Sequence, residues 1–315
     1  MIDQILGEAK TIAIGGHVRP DGDCVGACMA LAEYIRKWYP KVLVDVYLEE
    51  IAEEYKCIKG TDQILHETKD ACYDLFICLD CGDEDRLGFS GKLFEKAKQT
   101  YCIDHHISNT AFADDSYIIS DASSTAELVY NVMEDEKITL DIARALYLGI
   151  VHDTGVFQYS CAKPSTFRVA ARLLEKGVDA PTLITETYYE KTYVQNRMMG
   201  IALNKSKLHQ AGQVISSVIT IKEMEELGAS PKDLDAIVSQ LRITKGVEVA
   251  IFLYQTGESS YKVSLRAKDY VDVSKVAVTF GGGGHIKASG ANMDGTSEEI
   301  IEKLLAEVKI QLKDN

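Results

Sequence analysis

The chain has 315 residues, 46% hydrophobic and 26% charged, with 48 acidic side chains against 34 basic and a formal net charge of −14. That length suffices for one large or two ordinary domains, and the composition is that of a globular chain rather than a disordered or membrane-embedded one. Long-range attraction to a polyanion favours basic proteins, so binding of long duplex nucleic acid is disfavoured; a small phosphorylated ligand stays open if divalent metal offsets local carboxylates.

The opening MIDQILGEAKTIAIGG carries acids where a signal peptide needs bases, and no apolar run reaches membrane-spanning length. A cytoplasmic protein without a membrane partner is expected. The eight cysteines (Cys24, Cys28, Cys57, Cys72, Cys78, Cys81, Cys102 and Cys161) lie in or beside apolar segments and read as reduced core residues. Cys78 and Cys81 form one C-x-x-C, without the second pair that a structural zinc site needs.

In chain order, TIAIG (11–15) reads as a short strand, and a helical pattern follows through CVGACMALAEYIRKWY. KVLVDVYL (41–48) is the next strand, then comes a mixed helical segment, then the strand DLFICLD (74–80). A helix near GKLFEKAK leads to the strand TYCID (100–104). Such alternation predicts an α/β fold with a doubly wound parallel sheet. From 122 to 203 the pattern is mostly helical, in TAELVYNVM, IARALYLGIV and TFRVAARLLEKG, with Pro164 and Pro181 placed to open helices. After about 204, QVISSVITI, VEVAIFLYQ and SYKVSLRAK read as strands of an antiparallel sheet, with TGES turning between the last two. Helical patterns at 221–241 and 297–312 flank them, and GGGGH stands at 281–285. The expected division is a first domain over 1–195 and a smaller α/β domain over 196–315.

Ligand-type side chains stand after the strands of the first domain. GGHVRPDGDCVG holds His17, Asp21 and Asp23; the third strand ends in Asp80; the fourth ends in Asp104, His105 and His106; Asp153 follows the apolar LYLGIV. In an open parallel sheet, ligands bind outside the carboxyl ends of the strands. Three Asp- and His-rich clusters on that edge point to a metal site. Carboxylates with imidazoles and no thiolate suit Mn²⁺ or a similar divalent ion. Six candidates, His17, Asp21, Asp23, Asp80, His105 and Asp153, are too many for one ion in an open site. They suit two ions sharing a bridging carboxylate, the kind of centre that activates water against a phosphoryl group. His152, a helix-end neighbour of Asp153, is left out of the set.

Successive glycines let backbone N–H groups approach an anion. With His285, Lys287 and Ser289 following, and Arg266 on a preceding strand, GGGGH reads as an anion-binding patch rather than a plain flexible loop. Tyr188, Tyr189 and Tyr193 fall at helical spacing and read as packing residues rather than base-stacking ones.

HVRPDGD, LDCGDEDR, DHH and the Asp153 segment resemble, in order and separation, the four motifs of the DHH phosphoesterase superfamily. VSLRAK (263–268) and GGGGHIKASG (281–290) resemble its DHHA1 domain, so the likeness spans nearly the whole chain. Within the superfamily the chain resembles the NrnA type, bifunctional oligoribonucleases that also act on 3′-phosphoadenosine 5′-phosphate, with cyclic-di-AMP phosphodiesterases alongside. The resemblance implies one ion on His17, Asp21 and Asp80 and another on Asp23, Asp80, His105 and Asp153, with Asp80 bridging. It implies His106 and Arg86 at the scissile phosphate, with Asp104 orienting the histidines. It also implies Arg266, Gly283, Gly284, His285 and Ser289 on the substrate's terminal phosphate or nucleotide, with the active site in the interdomain cleft. The expected partners are short RNA or DNA oligonucleotides and phosphorylated nucleotides, and a homodimer is compatible with the family. A cyclic-di-AMP phosphodiesterase, a pyrophosphatase-like enzyme and a non-catalytic nucleotide sensor are the competing readings. GGGGHIKASG speaks against the pyrophosphatase, and the full ligand set against the sensor.

Overall fold

Five short strands frame the first half of the chain: β1 (Thr11–Gly15), β2 (Leu43–Tyr47), β3 (Leu75–Leu79), β4 (Thr100–Asp104) and β5 (Asp115–Ile118). All pair in parallel, in the order β2-β1-β3-β4-β5. β3 is buried along its whole length, as its run LFICL requires of a central strand covered on both faces. The strand order reverses between β1 and β3, and a crevice opens at the carboxyl ends of such a pair. The computed structural model describes residues 1–313. It divides the chain into two compact units, Met1–Glu190 and Lys191 onward, slightly before the expected boundary.

β5 was not expected from the sequence; DSYI is an edge strand, only partly buried, and carries no apolar alternation. The crossovers are also less helical than expected. Residues 49–73 contain two short 3₁₀ turns, Glu53–Cys57 and Thr61–Gln63, and the GKLFEKAK region gives a helix only over Gly91–Phe94, entered through the 3₁₀ segment Glu84–Ser90. Gly60 and Gly88, at φ 83° and 54°, stop helix propagation in each.

One sheet face is covered by the helix Gly22–Trp38, which packs along the helix Leu140–Asp153. Their backbones come close because both carry glycine at the crossing. A Cβ on Gly26 would lie 2.4 Å from the Ala145 carbonyl, and one on Gly149 would lie 2.5 Å from both Ala126 Cβ and Asp23 Oδ1. The missing side chain of Gly149 therefore makes room for a carboxylate. Around this crossing Ile12, Ile14, Met29, Leu31, Leu146 and Leu148 are fully buried, each worth roughly 1.5–3 kcal/mol relative to exposure. That packing makes the edge above it stiff.

The second unit opens with the helix Tyr193–Asn204 and is built on a six-stranded sheet, in the order β10-β11-β9-β8-β7-β6. Its strands are β6 (Lys207–His209), β7 (Val214–Ile219), β8 (Val249–Gln255), β9 (Ser260–Ala267), β10 (Gly283–His285) and β11 (Ala288–Asp294). The antiparallel expectation is corrected: β7 and β8 run parallel. The helices Ile221–Leu227 and Ile237–Arg242 lie between them in sequence and make the crossover that parallel strands need. GGGGHIKASG forms the hairpin between β10 and the start of β11. Among the described residues no helix is long and apolar enough to cross a membrane.

Candidate metal centre

The side chains after β1, β3 and β4 are each aimed by a local device. His17 sets Nδ1 against the Val18 carbonyl at 2.9 Å. Its Nε2 then lies 3.6 Å from Asp21 and 3.4 Å from Asp80. Asp21 is the N-cap of the helix Gly22–Trp38, where Oδ1 accepts from the Asp23 and Cys24 amides, the usual use of Asp at a strand-to-helix turn. Asp23, buried in the first turn, accepts the Thr125 amide on Oδ2 at 2.6 Å and the Ala126 amide on Oδ1 at 2.9 Å. Those amides open the helix Thr125–Val132, whose N-terminal partial charge favours a carboxylate there.

Asp80 stands at the middle of the group. Its backbone is left-handed, φ 57°, a conformation Asp tolerates better than most residues. Its carboxylate lies 3.7 Å from His105 Nε2 and 3.7 Å from His106 Nδ1, and it accepts the Thr125 hydroxyl at 3.0 Å. His105 Nε2 lies 3.1 Å from Asp153, the last residue of the helix Leu140–Asp153. Other non-glycine residues at positive φ flank these ligands: Arg19 (55°), Val156 (56°) and Phe157 (63°). Strain of this kind persists where the surroundings over-determine the backbone.

Among the described residues, donor atoms within 4.8 Å of one another form three groups: His17, Cys24 and Asp80; Asp80, His105 and His106; Asp23, His105 and Asp153. Asp80 and His105 each belong to two of them, so the donors form one continuous chain. The charges fit a cation. Burial, with the charges of Asp80, Asp153 and Asp21, pushes the Asp23 acid well up. Burial likewise pushes Asp153 up to about 7, against the opposing pull of His105. Burial disfavours the His17 imidazolium, yet bonding to Asp21 and Asp80 raises it to about 12. A proton on His17 does in part what a divalent ion would do for the whole group: it neutralises carboxylates that otherwise repel one another. The buried Cys24 thiol also lies among the close donors, and burial pushes it well up, which keeps it a thiol rather than a thiolate.

Asp104 is fully buried and accepts from His106 Nδ1 at 2.7 Å and from the Asn109 side-chain amide at 2.6 Å. These bonds outweigh burial and hold its acid low, while the bond from Asp104 raises His106. Asn109 was available in the motif DHHISN but carries no ligand signal of its own. Thr125 lies far from Asp80 in sequence, and nothing in its neighbourhood marks it. Arg86 sits in the 3₁₀ segment after β3, where its carbonyl accepts the Val18 amide at 2.7 Å and its charge is felt at His106. His152 belongs to none of the donor groups: Nε2 is 3.2 Å from the Thr187 hydroxyl, and its ring meets Tyr55 and Tyr188 edge-on.

The remaining candidates lie in the second unit. Arg266 is on β9 with Nη1 donating to the Leu265 carbonyl at 3.0 Å. It pairs in register with Ala288 on β11, across from the β10 hairpin arm. His285 is exposed at the end of β10. Ser289 is buried, and its hydroxyl donates to Val273 O at 2.6 Å, so that proton is already committed. Gly284 has φ 139°, and a Cβ there would lie 2.6 Å from the Ala288 carbonyl. A Cβ on Gly283 would meet nothing within 4 Å. The fold demands glycine at 284 and makes no such demand at 283.

Residues 11–150 match the N-terminal domain of the DHH family, and residues 193–314 match the DHHA1 domain. The chain is 29% identical to a bifunctional oligoribonuclease and PAP phosphatase NrnA of Thermus thermophilus, over 96% of this chain and 90% of that one. It is 26% identical to the protein of the same description in Bacillus subtilis, over 97% and 96%. In fold it is similar to an exopolyphosphatase-related protein from Bacteroides fragilis, with a TM-score of 0.89 at 24% identity, covering 98% of this chain and 94% of that one.

Proposed function

Because the chain belongs to the DHH family and carries a DHHA1 domain, we propose that it is a divalent-metal phosphodiesterase of short oligonucleotides. On this reading it cuts linear dinucleotides such as pApA to mononucleotides and removes phosphate from 3′-phosphoadenosine 5′-phosphate. The observation that carries the reading is the continuous chain of donors from His17 through Asp80 and His105 to Asp153 at the carboxyl edge of a parallel sheet. The substrate class is supported by the relatives described as oligoribonuclease and PAP phosphatase.

His17, Asp21 and Asp80 would hold one ion and Asp23, Asp80, His105 and Asp153 the other, with Asp80 common to both. Mn²⁺ suits this mixture of imidazole and carboxylate, with the Cys24 thiol as a softer neighbour. A bound ion pair supplies Lewis acidity, neutralising phosphoryl charge and acidifying water. The chain's own residues do the rest. His106, oriented by Asp104, would present a donor to a phosphate oxygen, and Arg86 would add a positive charge. Arg266, His285 and the Gly283–Gly284 backbone grip a phosphate or base beyond the scissile bond, with Ser289 holding the hairpin beneath them. A substrate that engages both sets of residues must be more than a simple ester.

The test is a Mn²⁺-dependent substrate panel: 2–5-mers, a 24-mer, cyclic-di-AMP, 3′-phosphoadenosine 5′-phosphate and pyrophosphate. The proposal expects turnover of the short oligomers and of 3′-phosphoadenosine 5′-phosphate, with little on the 24-mer or pyrophosphate. Preference for cyclic-di-AMP or pyrophosphate would replace it.

A further inference from the structure

Thr125 makes two bonds whose acceptors belong to different parts of the donor chain. Its amide donates to Asp23 Oδ2 at 2.6 Å, and its hydroxyl donates to Asp80 Oδ1 at 3.0 Å. Asp23 groups with His105 and Asp153; Asp80 groups with His17 and Cys24 and, separately, with His105 and His106. All three residues are buried, Thr125 completely. An ionised carboxylate only accepts, so the Thr125 hydroxyl must give its proton to Asp80 and has a single useful rotamer.

Thr125 is itself held still. Ser124 caps the helix by accepting the Glu127 amide at 3.0 Å, and the buried Glu127 carboxylate accepts from Ser123 and from the Thr166 hydroxyl at 2.9 Å. The helix Thr125–Val132 is thus tied to the helix Pro164–Glu175 behind it, and its first residue faces two of the six candidate ligands.

We infer that Thr125 is a positioning residue that fixes the carboxylate shared by both ions relative to a carboxylate held by only one, and so sets whether a pair of ions binds together. This rests on the two-ion reading above. Groups that bond to metal-ligating carboxylates orient them, and losing one typically costs ten- to a hundredfold in metal affinity. Thr125→Val keeps the size, the branching and the amide bond to Asp23, and removes only the bond to Asp80. Thr125→Ser keeps both bonds.

The experiment is a Mn²⁺ titration followed by electron paramagnetic resonance, which counts bound ions and detects the exchange coupling of a close pair without any substrate. Melting temperatures of the metal-free proteins check folding, and Thr125→Ala replaces Thr125→Val if that variant does not fold. The expected result is a coupled pair in the wild type and in Thr125→Ser. In Thr125→Val the later-binding ion should be weakened about ten- to a hundredfold and the coupled signal lost. A wild-type pair that persists unchanged in Thr125→Val would overturn the inference alone, as would loss of the pair in Thr125→Ser. A wild type that never binds two ions would overturn the two-ion reading and the inference with it.

Discussion

Asp23 and Asp153 carry the cost of crowding carboxylates, and that cost depends on pH. In the unfolded chain Asp153 gives up its proton near pH 4; in the folded, metal-free protein burial holds that proton to about pH 7. The folded state then binds more protons than the unfolded state between those values, so metal-free stability falls as pH rises through that window. His17, raised to about 12, acts in the same direction above its ordinary pKa, because its stabilisation is lost as pH rises further. A bound cation removes the repulsion. The rise in melting temperature on adding Mn²⁺ is therefore expected to be larger at pH 8 than at pH 5, as measured by differential scanning fluorimetry; an equal rise at both would contradict the charge balance described for the site. The acids and histidines were legible in the sequence because carboxylates and imidazoles after apolar runs have few structural uses. Thr125 and Cys24 were not. A hydroxyl or thiol carries no such mark, and only the fold brings these two to Asp80.

The glycine-rich hairpin is where an element's geometry separates folding from binding. Gly284→Ala forces a side chain into φ 139° and against the Ala288 carbonyl, and should destabilise the second unit by about 1–3 kcal/mol. Gly283→Ala meets open space and should leave the melting temperature unchanged while weakening dinucleotide binding. Thermal melts beside equilibrium binding of a non-hydrolysable dinucleotide check both, and a stable Gly283→Ala with undiminished binding would remove the backbone-approach role. Four of the five strands of the first unit were legible because each is a short apolar run closed by a charged or glycine-rich turn. The edge strand β5 was hidden because DSYI carries no apolar alternation. The parallel pairing of β7 with β8 was hidden because alternation gives a strand's faces and not its neighbour's direction. The hairpin made by GGGGHIKASG was not legible, since glycine runs lack the residues that mark strands.

At the scale of the whole molecule, the proposed function assigns different chemistry to the two units. His285→Ala or Arg266→Ala should leave metal content intact and weaken a dinucleotide by roughly ten- to a hundredfold, the loss of one charge-assisted hydrogen bond. Both variants should hydrolyse bis-p-nitrophenyl phosphate almost as the wild type does, because that ester needs no distal grip. Steady-state kinetics on the two substrates would reject the division of labour if the proportional losses were equal. The two-unit layout was legible as a change of texture after about residue 204, although the division itself falls between Glu190 and Lys191. Everything proposed for the first unit turns on Asp80. A control for it cannot be Asp83, which caps the Glu84–Ser90 segment by accepting the Arg86 amide at 3.0 Å; exposed Asp85 on the same turn is the better choice. The most direct test is hydrolysis of pApA with Mn²⁺ by the wild type, Asp80→Ala and Asp85→Ala, with bound metal measured in each. The account predicts turnover by the wild type and Asp85→Ala that EDTA abolishes, and neither turnover nor a full metal complement in Asp80→Ala. Hydrolysis by Asp80→Ala at the wild-type rate, or by the wild type in EDTA, would contradict it.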